Sequence, residues 1–567
     1  MKALMKSAPT PRFILKPLAA ALVLAALNAH AYQAGVPNSG AILQQVQPAL
    51  PPAPLPSQPA LRINPADAAT LPASAPFTVS AIRVTGNTSF GADVLHALVA
   101  DAEGKTFTLP QLEAVAGRIT AYYQAHGFPL SRAIVPAQTI TGGAVTIQVL
   151  EARYGAVRVQ NGSRVGDALL AATAAPLQGG PAITERDLDR TLLLLSDIPG
   201  VGVNAVLKPG AQVGSADLDI VASRNQVAFA NLALDNYGNR YTGRVRLSAS
   251  ASIVNPLRHG DLLDLSVVAA NQDMDYGRIG YDTLLNGAGT RAGAAYSRVH
   301  YSLGQDIAQL DAYGSADVAS AWIKHPLVRG RQANLYAQLE YDDKRLRDRI
   351  DVTATRTDRH LDNWVLSLNG DARDGFLGGG VSAWSVAWTH GRTRFDDAAA
   401  EQADALSTRT RGRFSKWNAS LSRVQGLGAR DTLYMNLAGQ WANGNLDSAE
   451  KMTVGGPYTV RAYDVGAVSS DTGVFASAEL RHDFGTTAAG RWQAAAFVEG
   501  AHVKINRRPW AATDNTASLS GAGLGLMWDG PNAWRANLSV ATPIGAKPAQ
   551  LASTSSVRAW LIASKSF

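Results

Sequence analysis

Covalent chemistry needs a nucleophile with a positioned base, a set of metal ligands or a phosphate-cradling loop, and this 567-residue chain assembles none of them in its sequence. It has no cysteine, which excludes thiolate nucleophiles, thiolate metal sites and disulfide staples, and suits an exported chain. Its ten histidines lie scattered. No Gly-x-Ser-x-Gly elbow stands out, and no Gly-rich phosphate loop appears. The formal charge of +7 arises from 52 basic and 45 acidic residues spread along the chain, without a basic block or an aromatic-interleaved stripe. That pattern argues against a nucleic-acid partner. The expectation is a protein with no catalytic residues, no metal and no cofactor.

Composition points to the elements that carry those groups. With 52 Gly, 11 Trp, 16 Tyr and only 17% charged residues, polar and apolar residues mix at short range. A helical membrane protein would show long apolar blocks instead. Residues 1–31 read as a signal peptide: Lys2, Lys6, Arg12 and Lys16 precede the apolar run Leu18 to Leu27, and Ala29-His30-Ala31 supplies a small-x-small cleavage site. Residues 32–76 are rich in Pro and Ala, which favours an extended, unpacked linker. Near its start, Gly40 to Gln47 has the composition of a short mobile helix.

Residues 77–152 and 153–225 each read as a small α+β unit, a strand, two helices and two more strands. In the first, Thr108 and Gln111 form a capping box, and Leu112, Val115, Ile119 and Tyr122 recur at helical spacing until Gly127. Ala144 to Leu150 alternates and is expected at the edge of the sheet. In the second, Thr184 and Asp187 cap a helix through Leu188, Leu192 and Leu195. Neither unit carries a catalytic constellation, so docking is the expected role.

From Gln226 to Phe567 the chain alternates with period two, as in Arg244 to Ile253, where Val245, Leu247, Ala249, Ala251 and Ile253 share one face. At ~10 residues per strand and ~10 per connection, this length holds on the order of 16 strands. Apolar-out, polar-in strands suit a transmembrane antiparallel barrel with a wet lumen, and the terminal aromatic Phe567 fits an outer-membrane assembly signal.

Four motifs in order along the chain resemble the transporter subunits of two-partner secretion, the hemolysin activation/secretion proteins. They are Val84-Thr85-Gly86-Asn87-Thr88, Asp235-Asn236-Tyr237-Gly238, Asn255-Pro256-Leu257 with Gly260-Asp261, and Gly455-Gly456-Pro457-Tyr458-Thr459-Val460-Arg461-Ala462-Tyr463. The resemblance covers nearly the whole mature chain. It implies a mainly β fold: two polypeptide-transport-associated (POTRA) domains before a barrel of about 16 strands in the outer membrane, with Gly40 to Gln47 as a plug helix. It also implies a partner, a large exoprotein (hemolysin, adhesin or contact-dependent toxin) docking through its N-terminal secretion domain, and assembly by the barrel-assembly machinery. The family's Val-Arg-Gly-Tyr stands here as Val460-Arg461-Ala462-Tyr463, and its Phe-x-Asp-x-Gly as Phe497-Val498-Glu499-Gly500-Ala501. An Arg on a loop folded into the barrel can grip a wall carboxylate. The resemblance therefore makes Arg461 and Glu499 the expected pair, with Glu499 and Phe497 both facing the lumen. The rival readings are a relative that inserts other barrels, an outer-membrane enzyme and a passive porin. Room for only two modules, the missing nucleophile and the presence of 77–224 disfavour them in turn.

Overall fold

The computed structural model describes residues 36–46, 60–63, 74–551 and 554–567. The expected signal peptide and most of the Pro-rich linker lie outside the described residues. Sixteen antiparallel strands close into a barrel, from Ala228–Asp235 to Arg558–Ser566, which pair with each other from Asn231 opposite Ser566 to Asp235 opposite Ile562. Closure satisfies the backbone where lipid offers no partner. Among the described residues no helix is long and apolar enough to cross a membrane. Alternation sorts the side chains: Leu247 and Ile253 point outward, 51% and 42% exposed, while Arg246 points in and is buried. The strands Ala333–Ile350 and Thr355–Asp374, with 18 and 20 residues, far exceed the ~9–11 needed to cross a bilayer. Their hairpin therefore projects outside.

Both small α+β units have their own apolar cores. In the first, the helix Leu109–Ala125 starts at the Thr108–Gln111 capping box, and Gly127 follows it at φ +85°. Ala144–Leu150, expected at the sheet edge, is instead its central strand, between Ala81–Thr85 and Arg132–Ile134. Val145, Ile147 and Val149 are fully covered, and a parallel partner on one side with an antiparallel one on the other uses both rows of backbone groups. The family-like turn 84–88 is tied to this strand's end. Glu151 accepts from the backbone N–H groups of Thr88 and Ser89, both at 2.7 Å, and from the Tyr123 hydroxyl at 2.8 Å. Burial alone would raise the Glu151 pKa, but these bonds and that from the Thr88 hydroxyl outweigh it and hold it at about 2.

In the second unit Thr184 accepts from Asp187 N and caps Glu185–Ser196. Leu188, Leu192 and Leu195 of that helix lie in the core. One expectation for the linker fails. Ala60–Ile63, part of the segment expected to be unpacked, adds in parallel to Val201–Pro209, giving a four-stranded sheet. The edge of Val201–Pro209 that this segment covers would otherwise present unpaired backbone groups.

The second unit is also fastened to the periplasmic turns of the barrel. Arg329 grips Asp197 with two bonds of 2.7 Å, and Arg331 reaches Asp189 at 2.8 Å. Leu284 at a strand end joins the unit's core. Asp261 closes the 255–261 turn by accepting from Leu257 N and His259 N, and Asn255 of that turn donates to the Pro199 carbonyl.

Candidate functional site: the lumen latch

Two elements fill the lumen. The first is the helix Ser39–Val46, one residue out of register with the expected Gly40 to Gln47, whose last residue lies outside the described residues. Ile42, Leu43 and Val46 pack on Met274, Tyr276, Val299 and Tyr301 of the inner wall. The second is the loop 443–471, which leaves the strand Asp431–Ala442 at the extracellular end and folds back inside. Gly455 and Gly456 make its sharp bend at φ +99° and +111°, conformations a side chain would strain.

The motif tip sits against the wall. Glu499, on the strand Gly490–Lys504, accepts from both the Arg461 backbone N–H at 2.7 Å and its Nε at 2.6 Å. Phe497, two residues back on the same inner face, lies under the guanidinium, with Cζ 3.3 Å from the ring centroid. The alternation that turns Val498 out, 53% exposed, turns these two in, each 5% exposed. Arg461 has a further partner that the sequence reading missed. Its Nη2 donates to Glu479 at 2.8 Å, and Glu479 also accepts from Arg481 at 2.7 Å. One signal was available: an acidic residue in the alternating strand Thr472–Thr487, placed directly opposite Phe497 by the register.

The remaining motif residues lock the tip from the seam side. Val460, Ala462 and Tyr463 are buried, and the Trp560 indole donates to the Arg461 carbonyl at 2.7 Å. Tyr237, from the motif at the barrel start, meets Tyr458 and Trp560 edge-on at 5.6 and 5.9 Å. Neither Ala462 nor Ala501 has a positive φ, so alanine carries no strain at these two positions. A Cβ added at Gly521 would lie 2.7 Å from that of Ala462, so the wall opposite the motif needs its glycine. Phe567 is apart from this cluster, 67% exposed and bonded through its backbone to Ala230 at the seam.

A second cluster, also unread in the sequence, fixes the root of the loop. Glu450, 2% exposed, accepts from Lys344 and Asn363 at 2.7 Å and pairs with Lys416 at 2.9 Å. Asp447 pairs with Arg359 at 3.1 Å, and Arg359 donates to Asp348 at 2.7 Å. Asp348 in turn accepts from Ser39 N at 2.7 Å and Ser39 Oγ at 2.9 Å. A continuous polar chain therefore joins helix, wall and loop. A Cβ at Gly40 would come within 2.5 Å of the Ala449 nitrogen, so helix and loop touch directly.

Helix and loop are thus both bonded to the inner wall of the barrel, the loop through Arg461 and Glu450 and the helix through Ser39. The family model for haemolysin secretion/activation proteins ShlB/FhaC/HecB matches residues 214–528, and that for the ShlB-type POTRA domain matches 77–152. The heme/hemopexin transporter protein HuxB of Haemophilus influenzae is 26% identical over 474 residues, covering 83% of this chain and 84% of its own. The outer membrane transporter CdiB of Escherichia coli is 24% identical over 465 residues, covering 79% and 76%. The solved structure of CdiB from Escherichia coli superposes with a TM-score of 0.70 at 20% identity, covering 98% of this chain and all of that one, which is a likeness of fold.

Proposed function

Because the chain belongs to the haemolysin secretion/activation protein family, the outer-membrane transporters of two-partner secretion, we propose that it exports one large exoprotein by withdrawing both lumen stoppers, with no covalent chemistry of its own. The observation that carries this reading is that the lumen is closed by a tethered helix and a folded-back loop rather than by the wall. Both can leave while the sixteen-strand ladder stays intact. The passenger, a hemolysin, adhesin or contact-dependent toxin, enters unfolded and docks its N-terminal secretion domain on the periplasmic units by adding a strand to a sheet edge. The cis pairing of Ala60–Ile63 with Val201–Pro209 supports the competence of that edge for strand addition. Arg461 and Glu499 act as the releasable latch of the loop, with Gly455 and Gly456 as its bend. Phe567 serves as the signal read by the barrel-assembly machinery.

The test is removal of residues 77–224 in cells that also make the passenger. The truncated barrel is expected in the outer membrane in its heat-modifiable form, with export abolished. Export persisting at the intact level would refute the docking role.

A further inference from the structure

The lipid-facing wall carries a second feature that transport does not use. Outward positions of neighbouring strands form an aromatic belt: Trp388 stands opposite Trp417, and Trp417 opposite Trp441, by register. Tyr341 and Trp364 beside them have ring centroids 5.0 Å apart. Such a girdle marks the boundary of the hydrocarbon layer. The strand Gly380–Phe395 continues outward past it through His390, which stacks on Trp388, to Arg392 and Arg394. Two residues of strand advance ~7 Å, so Arg392 lies one such step beyond His390, at headgroup depth.

At that level Arg392 stands directly opposite Arg413 on the next strand, both exposed on the lipid side. Like charges placed opposite each other in a ladder destabilise it. The surrounding arginines are neutralised: Arg394 pairs with Asp362 at 2.7 Å, Arg345 with Asp343 at 3.3 Å, and Arg411 with Glu401 at 2.9 Å. Arg392 and Arg413 form no ion pair with the described residues. Two guanidinium forks, held side by side by the backbone at headgroup depth, match the oxygens of a phosphate group bidentately. We infer that Arg392 and Arg413 form a binding site for a phosphomonoester-bearing, net anionic lipid headgroup of the outer leaflet, as distinct from a zwitterionic phosphodiester. The inference requires only the outer-membrane placement, and it stands whether or not the latch works as proposed.

The experiment uses the full chain in phosphatidylcholine nanodiscs with and without diphosphoryl lipid A. Bound lipid A is counted by native mass spectrometry, and folding is checked by heat-modifiability. The double variant R392Q/R413Q is expected to bind lipid A about tenfold more weakly. In phosphatidylcholine alone it should be at least as heat-resistant as the parent, because the opposed charges are gone. R186Q, on the exposed surface of a periplasmic helix, should bind as the parent does. Should the double variant not fold, R413Q alone is expected to lose about threefold. Equal lipid A binding by parent and variant overturns the inference. So does an equal loss in R186Q, or displacement of lipid A by inorganic phosphate at matched phosphate concentration, which would mark a general anion site.

Discussion

Replacing Arg461 by alanine removes the one cation that bridges two buried carboxylates, Glu499 at 2.6 Å and Glu479 at 2.8 Å. Their side chains are 3% and 8% exposed, against 14% for Arg461, so water screens the contact poorly. Removing one member of such a buried pair costs about 3–5 kcal/mol, chiefly because the partner charge is left uncompensated. Glu479 keeps Arg481, whereas Glu499 is left facing only the backbone N–H of residue 461. At about 1.4 kcal/mol per tenfold, the released loop should gain roughly two to three and a half orders of magnitude in population. Glu499→Ala should cost less, because Arg461 retains Glu479. The double variant should be little worse than Arg461→Ala, since that change already removes both contacts. Lys at 461 should restore function only in part, because one ammonium cannot grip Glu499 and reach Glu479 as the planar fork does.

The chain has no cysteine, so Val454→Cys, at a fully buried loop position, gives a single reporter whose maleimide labelling reads loop release. Passenger release, normalised to heat-modifiable barrel, reads function. Additive gains in labelling from the two single changes would refute a shared latch, and parental labelling in Arg461→Ala would end the argument.

At the loop root, Glu450→Ala removes the carboxylate shared by Lys344 and Lys416, leaving Lys344 only Asp342 at 3.7 Å. The expected loss is again about 3–5 kcal/mol, seen as higher ion conductance in planar bilayers; unchanged conductance would show that this cluster does not hold the stoppers. Arg329→Ala breaks the clamp on Asp197. It should expose the 224–228 connection to protease and reduce export without altering conductance, and parental protease resistance would rule the clamp out. The Glu151 carboxyl is held at about 2 in the folded unit, below the ordinary glutamate value of 4.5. A depressed folded pKa contributes stability that is present above the unfolded value and lost as pH falls from about 4.5 to about 2. The melting temperature of residues 74–224 should therefore drop between pH 7 and pH 3, and Glu151→Gln should flatten that dependence. An equal drop in the variant would assign the acid sensitivity elsewhere.

What the sequence determined by itself is what depends on near neighbours in the chain. The capping pairs Thr108–Gln111 and Thr184–Asp187, the helical leucines and the two-residue alternation of the barrel are local, because caps and periodicities act within a turn or a pleat. The same parity turned Phe497 and Glu499 to one face. Tertiary structure decided whatever depends on which strands become neighbours. The central place of Ala144–Leu150 rests on pairing across most of its unit, and the strand at Ala60–Ile63 on an edge some 140 residues away. Glu479 became a second partner of Arg461 only when the register set it opposite Phe497. Glu450 met Lys344 and Lys416 only when the barrel closed around the returning loop. A charge in a sequence has no address until burial removes its water, and that removal is a property of the closed barrel and its filled lumen.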